Sequence, residues 1–305
     1  MSLTPNAERF SHDHQFLGAS HDENARRTLW VVALTFVMMI GEIATGYLTG
    51  SMALLADGFH MATHAGALGI AAAAYGFARR NANNRRYSFG TGKVGDLAGF
   101  ASAMVLGLVS LGIAGESVFR LFEPTSVAFG EATVIAIVGL GVNILSAFLL
   151  MGHHGHQHDH GHDHHHHHDN NLRSAYVHVL ADALTSVLAI AALLAGRYLG
   201  WVWLDPVMGI VGSIVIAKWA YNLMRDSAAV LLDTTDEPVA AEIRELLETS
   251  EDVRISDLHV WQVGPQARAA IVSVVAAAGV TAEAIRERLA PVHELSHLTI
   301  ELRSA

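Results

Sequence analysis

Residues Ala53–Phe77 read ALLADGFHMATHAGALGIAAAAYGF. A helix rises about 1.5 Å per residue, so this stretch is long enough to cross the ~30 Å hydrocarbon core of a bilayer. Its polar interruptions are Asp57, His60, Thr63, His64 and Tyr75. His60 and His64 are four residues apart, which sets both on one helix face about one turn from each other. Asp57, three residues before His60, roughly shares that face. An ionisable group in hydrocarbon costs several kcal/mol unless it is paired or wetted, so each of these residues is a functional candidate. The structural alternative is that a lone histidine on an apolar helix is hydrogen-bonded in a core. It weakens when several ionisable groups fall on one face.

Five further apolar segments surround this one: Leu29–Leu48, Val94–Phe119, Ala132–Met151, Ala175–Tyr198 and Leu204–Met224. Only 16% of the 305 residues are charged, against roughly a quarter in a typical soluble domain. The charges are dense between the apolar runs and nearly absent within them, as expected for six membrane-spanning helices. Ala, Gly and Ser are abundant in the runs and permit close helix approach where lipid supplies no hydrophobic drive. The turn around Thr49–Met52 is short enough to make the first two spans a hairpin. Arg26, Arg27, Arg79, Arg80, Arg85, Arg86, Lys93, Arg173 and Arg225 fall in the connections of one side, and only Arg120 and Arg197 on the other. The positive-inside rule then puts both termini in the cytoplasm. Residues 1–28 form a polar N-terminal segment without the pattern of a cleavable signal peptide. There are no cysteines, so thiolate ligands and disulfides are excluded.

The spans occupy residues 29–225, and the composition of 226–305 is that of a small soluble domain. Val239–Thr249 has helical periodicity. Ile255–Val263 and Ala269–Ala276 read as strands joined by a turn at Gly264-Pro265. Thr281 caps a helix over Ala282–Leu289, and His297–Leu302 is a last strand. The order α-β-β-α-β predicts a small α+β sheet with its helices on one face.

Between the fourth and fifth spans, residues 152–171 form a histidine-rich loop. It carries eleven histidines: His153, His154, His156, His158, His160, His162, His164, His165, His166, His167 and His168. Imidazole suits Zn, Cu, Ni and related ions, and such tracts bind metal with low specificity. The competing reading is a solvated linker. Gly90-Thr91-Gly92-Lys93-Val94 superficially evokes a phosphate-binding loop. A Walker sequence would need Gly where Tyr87 stands and Ser or Thr where Val94 stands. No nucleotide site is expected, so any uphill transport would have to draw on an ion gradient.

The fifth segment contains His178-Val179-Leu180-Ala181-Asp182, a second pair at i and i+4. Two such pairs on packed helices supply four ligands, the number a tetrahedral borderline ion takes. Glu42, Asp96, Glu116 and Asn143 are further polar residues in or at the ends of spans. They are read as structural, with Asp96 and Glu116 available to nearby Arg or Lys. Asp57, Asn143 and Asp96 are candidates to support the ligands, since a ligating His usually donates its other N–H to a carboxylate or carbonyl.

At these residues the chain resembles the cation diffusion facilitator family over nearly its whole length. The likeness is carried by Gly50-Ser51-Met52-Ala53-Leu54-Leu55-Ala56-Asp57-Gly58-Phe59-His60, Tyr87-Ser88-Phe89-Gly90, Arg173-Ser174-Ala175-Tyr176-Val177-His178-Val179-Leu180-Ala181-Asp182 and Asp205-Pro206. The resemblance implies a homodimeric, multi-pass protein of the bacterial inner membrane. It further implies exchange of cytoplasmic divalent metal for protons, and a ferredoxin-like C-terminal domain. The family's transport site maps onto His60, His64, His178 and Asp182. Many zinc-carrying members have Asp where His64 stands. With the histidine tract, the string Asp57–His64 resembles the DmeF-type branch, which exports cobalt and nickel. A third imidazole makes the site less anionic and disfavours oxygen-preferring ions such as Mn²⁺ and Mg²⁺. Many relatives also bind zinc in the C-terminal domain. Here the corresponding positions are Ser256-Asp257-Leu258-His259 and Ser273, and the pattern is not reproduced.

The expectation is therefore a metal/proton antiporter for Co²⁺ and Ni²⁺, with Zn²⁺ or Cd²⁺ as the alternative cargo. The metal would be cargo, with no cofactor, no enzymatic activity and no nucleic-acid partner. Two other classes are a membrane buffer or sensor acting through the histidine tract, and a membrane metalloenzyme. Against the enzyme, four protein ligands fill a tetrahedral site as in closed, non-catalytic centres.

Overall fold

The computed structural model describes residues 22–81, 84–151 and 168–304. The N-terminal segment to residue 21 and the tract from His153 to His167 lie outside the described residues. So do the side chains of His64, His168, His178 and Asp182.

Six long helices are present among the described residues: α1 Asp22–Thr49, α2 Met52–Arg80, α3 Val94–Phe122, α4 Phe129–Met151, α5 His168–Leu199 and α6 Leu204–Leu231. Each contains one of the six apolar segments. By length and apolarity α3 and α6 suffice by themselves to cross a membrane, and shorter apolar stretches lie at Ala33–Thr49, Phe129–Leu145 and Ala183–Leu199. In α2 the apolar run is broken by Asp57 and His60. The α1–α2 hairpin turns on Gly50, whose φ of +71° is left-handed. Ser51 N–H donates to the Gly46 carbonyl at 3.1 Å. That bond spans the glycine and closes the end of α1 in the Schellman manner.

The third helix shows the inversion that a lipid solvent imposes. Its buried residues are Ala103, Ser110, Ile113 and Ser117, mostly small or polar. Val105, Leu108 and Leu111 are 58%, 66% and 68% exposed. Water penalises apolar patches of this size, whereas hydrocarbon does not.

The sixth helix continues seven residues past Met224, where its apolar pattern ends. Its last turn closes at Asp233, left-handed at φ 55°, with Thr234 N–H bonded to the Ala229 carbonyl at 3.0 Å. Asp tolerates that conformation better than most residues.

The chain divides into two compact units, Ser20–Gly69 with Ala101–Leu223 and Ile70–Phe100 with Met224–Ala305. In the first, α2 lies between two sets of neighbours. Leu54 packs with Ala132, Ala136 and Leu193 of α4 and α5. Met52, Leu55 and Ala56 pack with Ile113 and Ile216 of α3 and α6.

The second unit contains the C-terminal sheet. Helix α7 (Glu237–Glu248) is capped by Asp236, which accepts from Val239 N–H at 3.4 Å. Strands β1 (Val253–Gly264) and β2 (Ala267–Ala276) are antiparallel, whereas β3 (Leu295–Ser304) lies parallel to β2. The parallel step is allowed by the crossover through α8 (Ala282–Arg288), capped by Thr281. Ile243, Leu247, Val260, Val272, Ile285 and Leu289 share one core with both helices against the sheet. The three strands run in the order β1-β2-β3. A register shift between Ile255 and Asp257 marks an irregularity at Ser256, which a period-two pattern does not reveal. At the edge of the core Arg288 grips Asp252 with bonds of 3.0 and 2.6 Å. This guanidinium, with the Ser250 hydroxyl, holds the Asp252 carboxyl below the usual carboxylate range. A depressed carboxylate contributes stability above its unfolded pKa, and that contribution is lost as pH falls through the folded value.

The connection between α2 and α3 packs on this sheet. Thr91 Oγ1 donates to the Ala78 carbonyl at 3.2 Å, Lys93 pairs with Asp233, and Phe89 sits edge-on to Trp261 and His297. Gly92 lies against the β1 backbone, so a Cβ there would overlap the Val263 carbonyl oxygen and come within 2.7 Å of Gly264 Cα. Backbone cannot yield as a side-chain tip does. Gly92→Ala is therefore expected to destabilise the C-terminal unit by about 1–3 kcal/mol, the usual overpacking cost. A thermal-unfolding scan of the purified variant checks this.

Candidate transport site

The site is built on the second and third turns of α2, where every residue from Ser51 to Gly58 is buried. Gly58 has no room for a Cβ, which would come within 2.9 Å of Ile43. Beside it Asp57 and His60 are buried, at 6% and 7% exposure. The Ser186 hydroxyl of α5 bonds both Asp57 oxygens, at 3.2 and 3.0 Å. A small cleft beside this bond is lined by Asp57 and His60 of α2, Thr185 and Ala189 of α5, and Met208 and Gly212 of α6. The imidazole of His60 meets the Trp219 ring edge-on, with centroids 6.4 Å apart. Thr63 donates to the His60 carbonyl at 2.6 Å.

The contacts set the direction of α5 against α2. Leu54 meets Leu193 and Asp57 meets Ser186, so the two helices run antiparallel. Of the residues singled out in the sequence, Asp57 and His60 line the cleft. Positions 64, 178 and 182 lie on the same two helices. Asp96 is half-buried in the first turn of α3 and belongs to the other compact unit. Lys93, its nearest cation in the chain, is engaged by Asp233. Asn143 is half-buried on α4. Glu116 pairs with Arg120 at 2.9 Å, one turn on in α3.

Ser186 carries no signal in the sequence beyond its spacing, four residues after Asp182 on the same helix face. Glu42 is fully buried, and neither oxygen finds a hydrogen-bond partner among the described residues. It fits only because α4 has Gly139 there, where a Cβ would overlap Glu42 Oε1. In the C-terminal unit His259 meets its own strand neighbour Asp257 at 2.9 Å. The Ser273 hydroxyl donates to Glu301 at 2.9 Å. Among the described residues no group of three or more His, Asp or Glu is placed to hold a metal ion.

A buried acid and imidazole on α2 thus share a cleft with Thr185 of α5, beside the Ser186 bond, a donor set of the kind that holds a cation. Residues 28–232 match the cation efflux transmembrane domain, and the chain belongs to the cation efflux family. It is 37% identical over 259 residues to the zinc transporter ZitB of Escherichia coli, covering 83% of this chain and 78% of that protein. A cadmium, cobalt and zinc/H(+)-K(+) antiporter of Bacillus subtilis is 33% identical over 253 residues, 81% of this chain and 77% of that one. The metal cation efflux system protein CzcD of Cupriavidus metallidurans is 30% identical over 298 residues, 94% and 90% of the two chains. The protein is thus a membrane transporter of divalent metal cations, and the metal is its cargo rather than a cofactor.

Proposed function

We propose that the chain exports Co²⁺ and Ni²⁺ in exchange for protons, binding the ion between α2 and α5 at His60, His64, His178 and Asp182. The observation that carries the reading is the Asp57–Ser186 bond beside the buried His60. Counting along antiparallel helices from that bond, position 182 would fall within about one residue of the level of His60, and position 178 within about one residue of position 64. Asp57 would then support the ligands through its bond to α5. Imidazole titrates near neutrality, so one set of side chains serves metal and proton in turn. With the site open to the cytoplasm, M²⁺ displaces protons. Rocking of the helices then exposes it outside, where protonation competes the metal off. Both termini and the histidine tract face the cytoplasm in this scheme, and the transporter works as a homodimer.

A second reading of the cargo, Zn²⁺ or Cd²⁺, is favoured by the names of the relatives, which are described as zinc and as cadmium, cobalt and zinc transporters. Complementation of an exporter-deficient bacterium, challenged with cobalt, nickel, zinc and cadmium side by side, tests both. Growth rescue on cobalt and nickel alone supports the first reading, and rescue confined to zinc and cadmium overturns it. Deleting residues 153–168 in the same assay is expected to leave rescue in place with a shifted tolerance. Complete loss would instead favour a buffer acting through the tract.

A further inference from the structure

The sixth helix meets α2 at four levels. At the first, the fully buried Asp205 carboxylate accepts from Ser51 Oγ at 2.6 Å, Met52 N–H at 2.8 Å and Ala53 N–H at 3.2 Å. Ser51 Oγ itself accepts from Leu54 N–H at 3.1 Å. Of the N–H groups that open α2, those of Met52 and Ala53 are thereby satisfied from α6 and that of Leu54 by the Ser51 side chain. Arg120 steadies the preceding turn by donating to the Gly50 carbonyl. At the second and third levels the contact is close: a Cβ on Gly209 would come within 2.7 Å of Met52 Cβ, and one on Gly212 within 2.6 Å of Ala56 Cβ. At the fourth, Trp219 lies edge-on to the His60 imidazole.

These contacts form one seam from the start of α2 to His60. Bonds from N–H groups to a carboxylate are strong and directional, so the cap fixes both the height and the rotation of α2. The glycines leave no slack for either to drift. A metal site needs its ligands held to within about 0.5 Å, and His60 stands little more than two turns from the cap.

We propose that Asp205 is a positioning residue of the transport site, acting with Gly212 and Trp219 through α2 to set the His60 imidazole. The inference rests on His60 being a ligand of the transported ion. Co²⁺ is a suitable probe, because its visible absorption reports coordination geometry. Full-length protein is titrated with Co²⁺, and the spectrum of His60→Ala is subtracted to remove binding by the histidine tract. Asp205→Ala and Asp205→Asn are expected to weaken Co²⁺ binding about tenfold or more, as loss of outer partners of metal ligands does, and to reduce the tetrahedral band. Ser51→Ala, which removes one of the three bonds, is expected to do less. A purely structural role would lower the melting temperature and leave band and affinity intact in the folded protein, and that result overturns the proposal. Should Asp205→Ala not fold, Gly212→Ala and Trp219→Phe decide by the same criterion. If His60→Ala retains the full tetrahedral band, the site assignment falls and this inference with it. A band lost in His60→Ala and kept in Asp205→Ala overturns the positioning role alone.

Discussion

Reconstituted in proteoliposomes with a pH gradient, Asp182→Ala and His178→Ala are expected to carry Co²⁺ or Zn²⁺ at least about 100-fold more slowly than the wild type. That is the upper end of what loss of an outer-shell partner costs a metal site, and a ligand should cost no less. Asp182 is the only carboxylate among the four proposed ligands. Without it three neutral imidazoles face a divalent ion inside the membrane, and the desolvated charge is left uncompensated. His178→Ala leaves the charge but opens the coordination shell. Ser186→Ala provides the graded comparison. It removes the bond to Asp57 without touching a ligand, so its flux should fall between wild type and the ligand variants. Wild-type flux from both ligand variants would remove α5 from the site.

His64→Asp is expected to change which ion is carried more than how fast. The substitution replaces a nitrogen donor by oxygen and adds a negative charge, giving two imidazoles and two carboxylates. Harder ions gain from that exchange and nitrogen-preferring ions lose. A fall of about tenfold in the ratio of cobalt to manganese transport, equivalent to about 1.4 kcal/mol, is the expected size. Competition flux assays with both metals at equal activity measure it directly. An unchanged ratio would show that position 64 does not select the cargo.

The helices of this protein are legible because lipid imposes a coarse rule. An apolar segment announces itself by its length, and each of the six long helices contains one of the segments so delimited. Where that rule lapses, the apolar pattern and the helix end at different residues. The sixth helix runs on to Leu231 because Arg225, Asp226 and Ser227 break the apolar pattern but not the backbone ladder. The irregularity at Ser256 is hidden for a related reason, since an inserted residue shifts the alternation by which a strand is recognised. Asp57 and His60 are legible as candidates because an ionisable residue in an apolar run is costly wherever it finally sits.

The partners of those residues are not legible. Ser186 is 129 residues from Asp57, and Asp205 is 153 from Met52. Nothing local distinguishes a serine that bonds a buried acid from one that merely eases helix packing. Gly139 and Gly92 are equally silent. Each is needed only because a particular oxygen, from Glu42 or from the Val263 backbone, lies where a Cβ would be. By itself the sequence determined the apolar helices, the ionisable positions within them and the family chemistry. These follow from transfer free energies and helical periodicity, which are properties of single segments, and from motifs that lie within them. Which helix caps α2, which hydroxyl meets Asp57 and what sets the His60 ring were decided only by tertiary structure, because hydrogen bonds and close packing join residues that the chain itself keeps far apart.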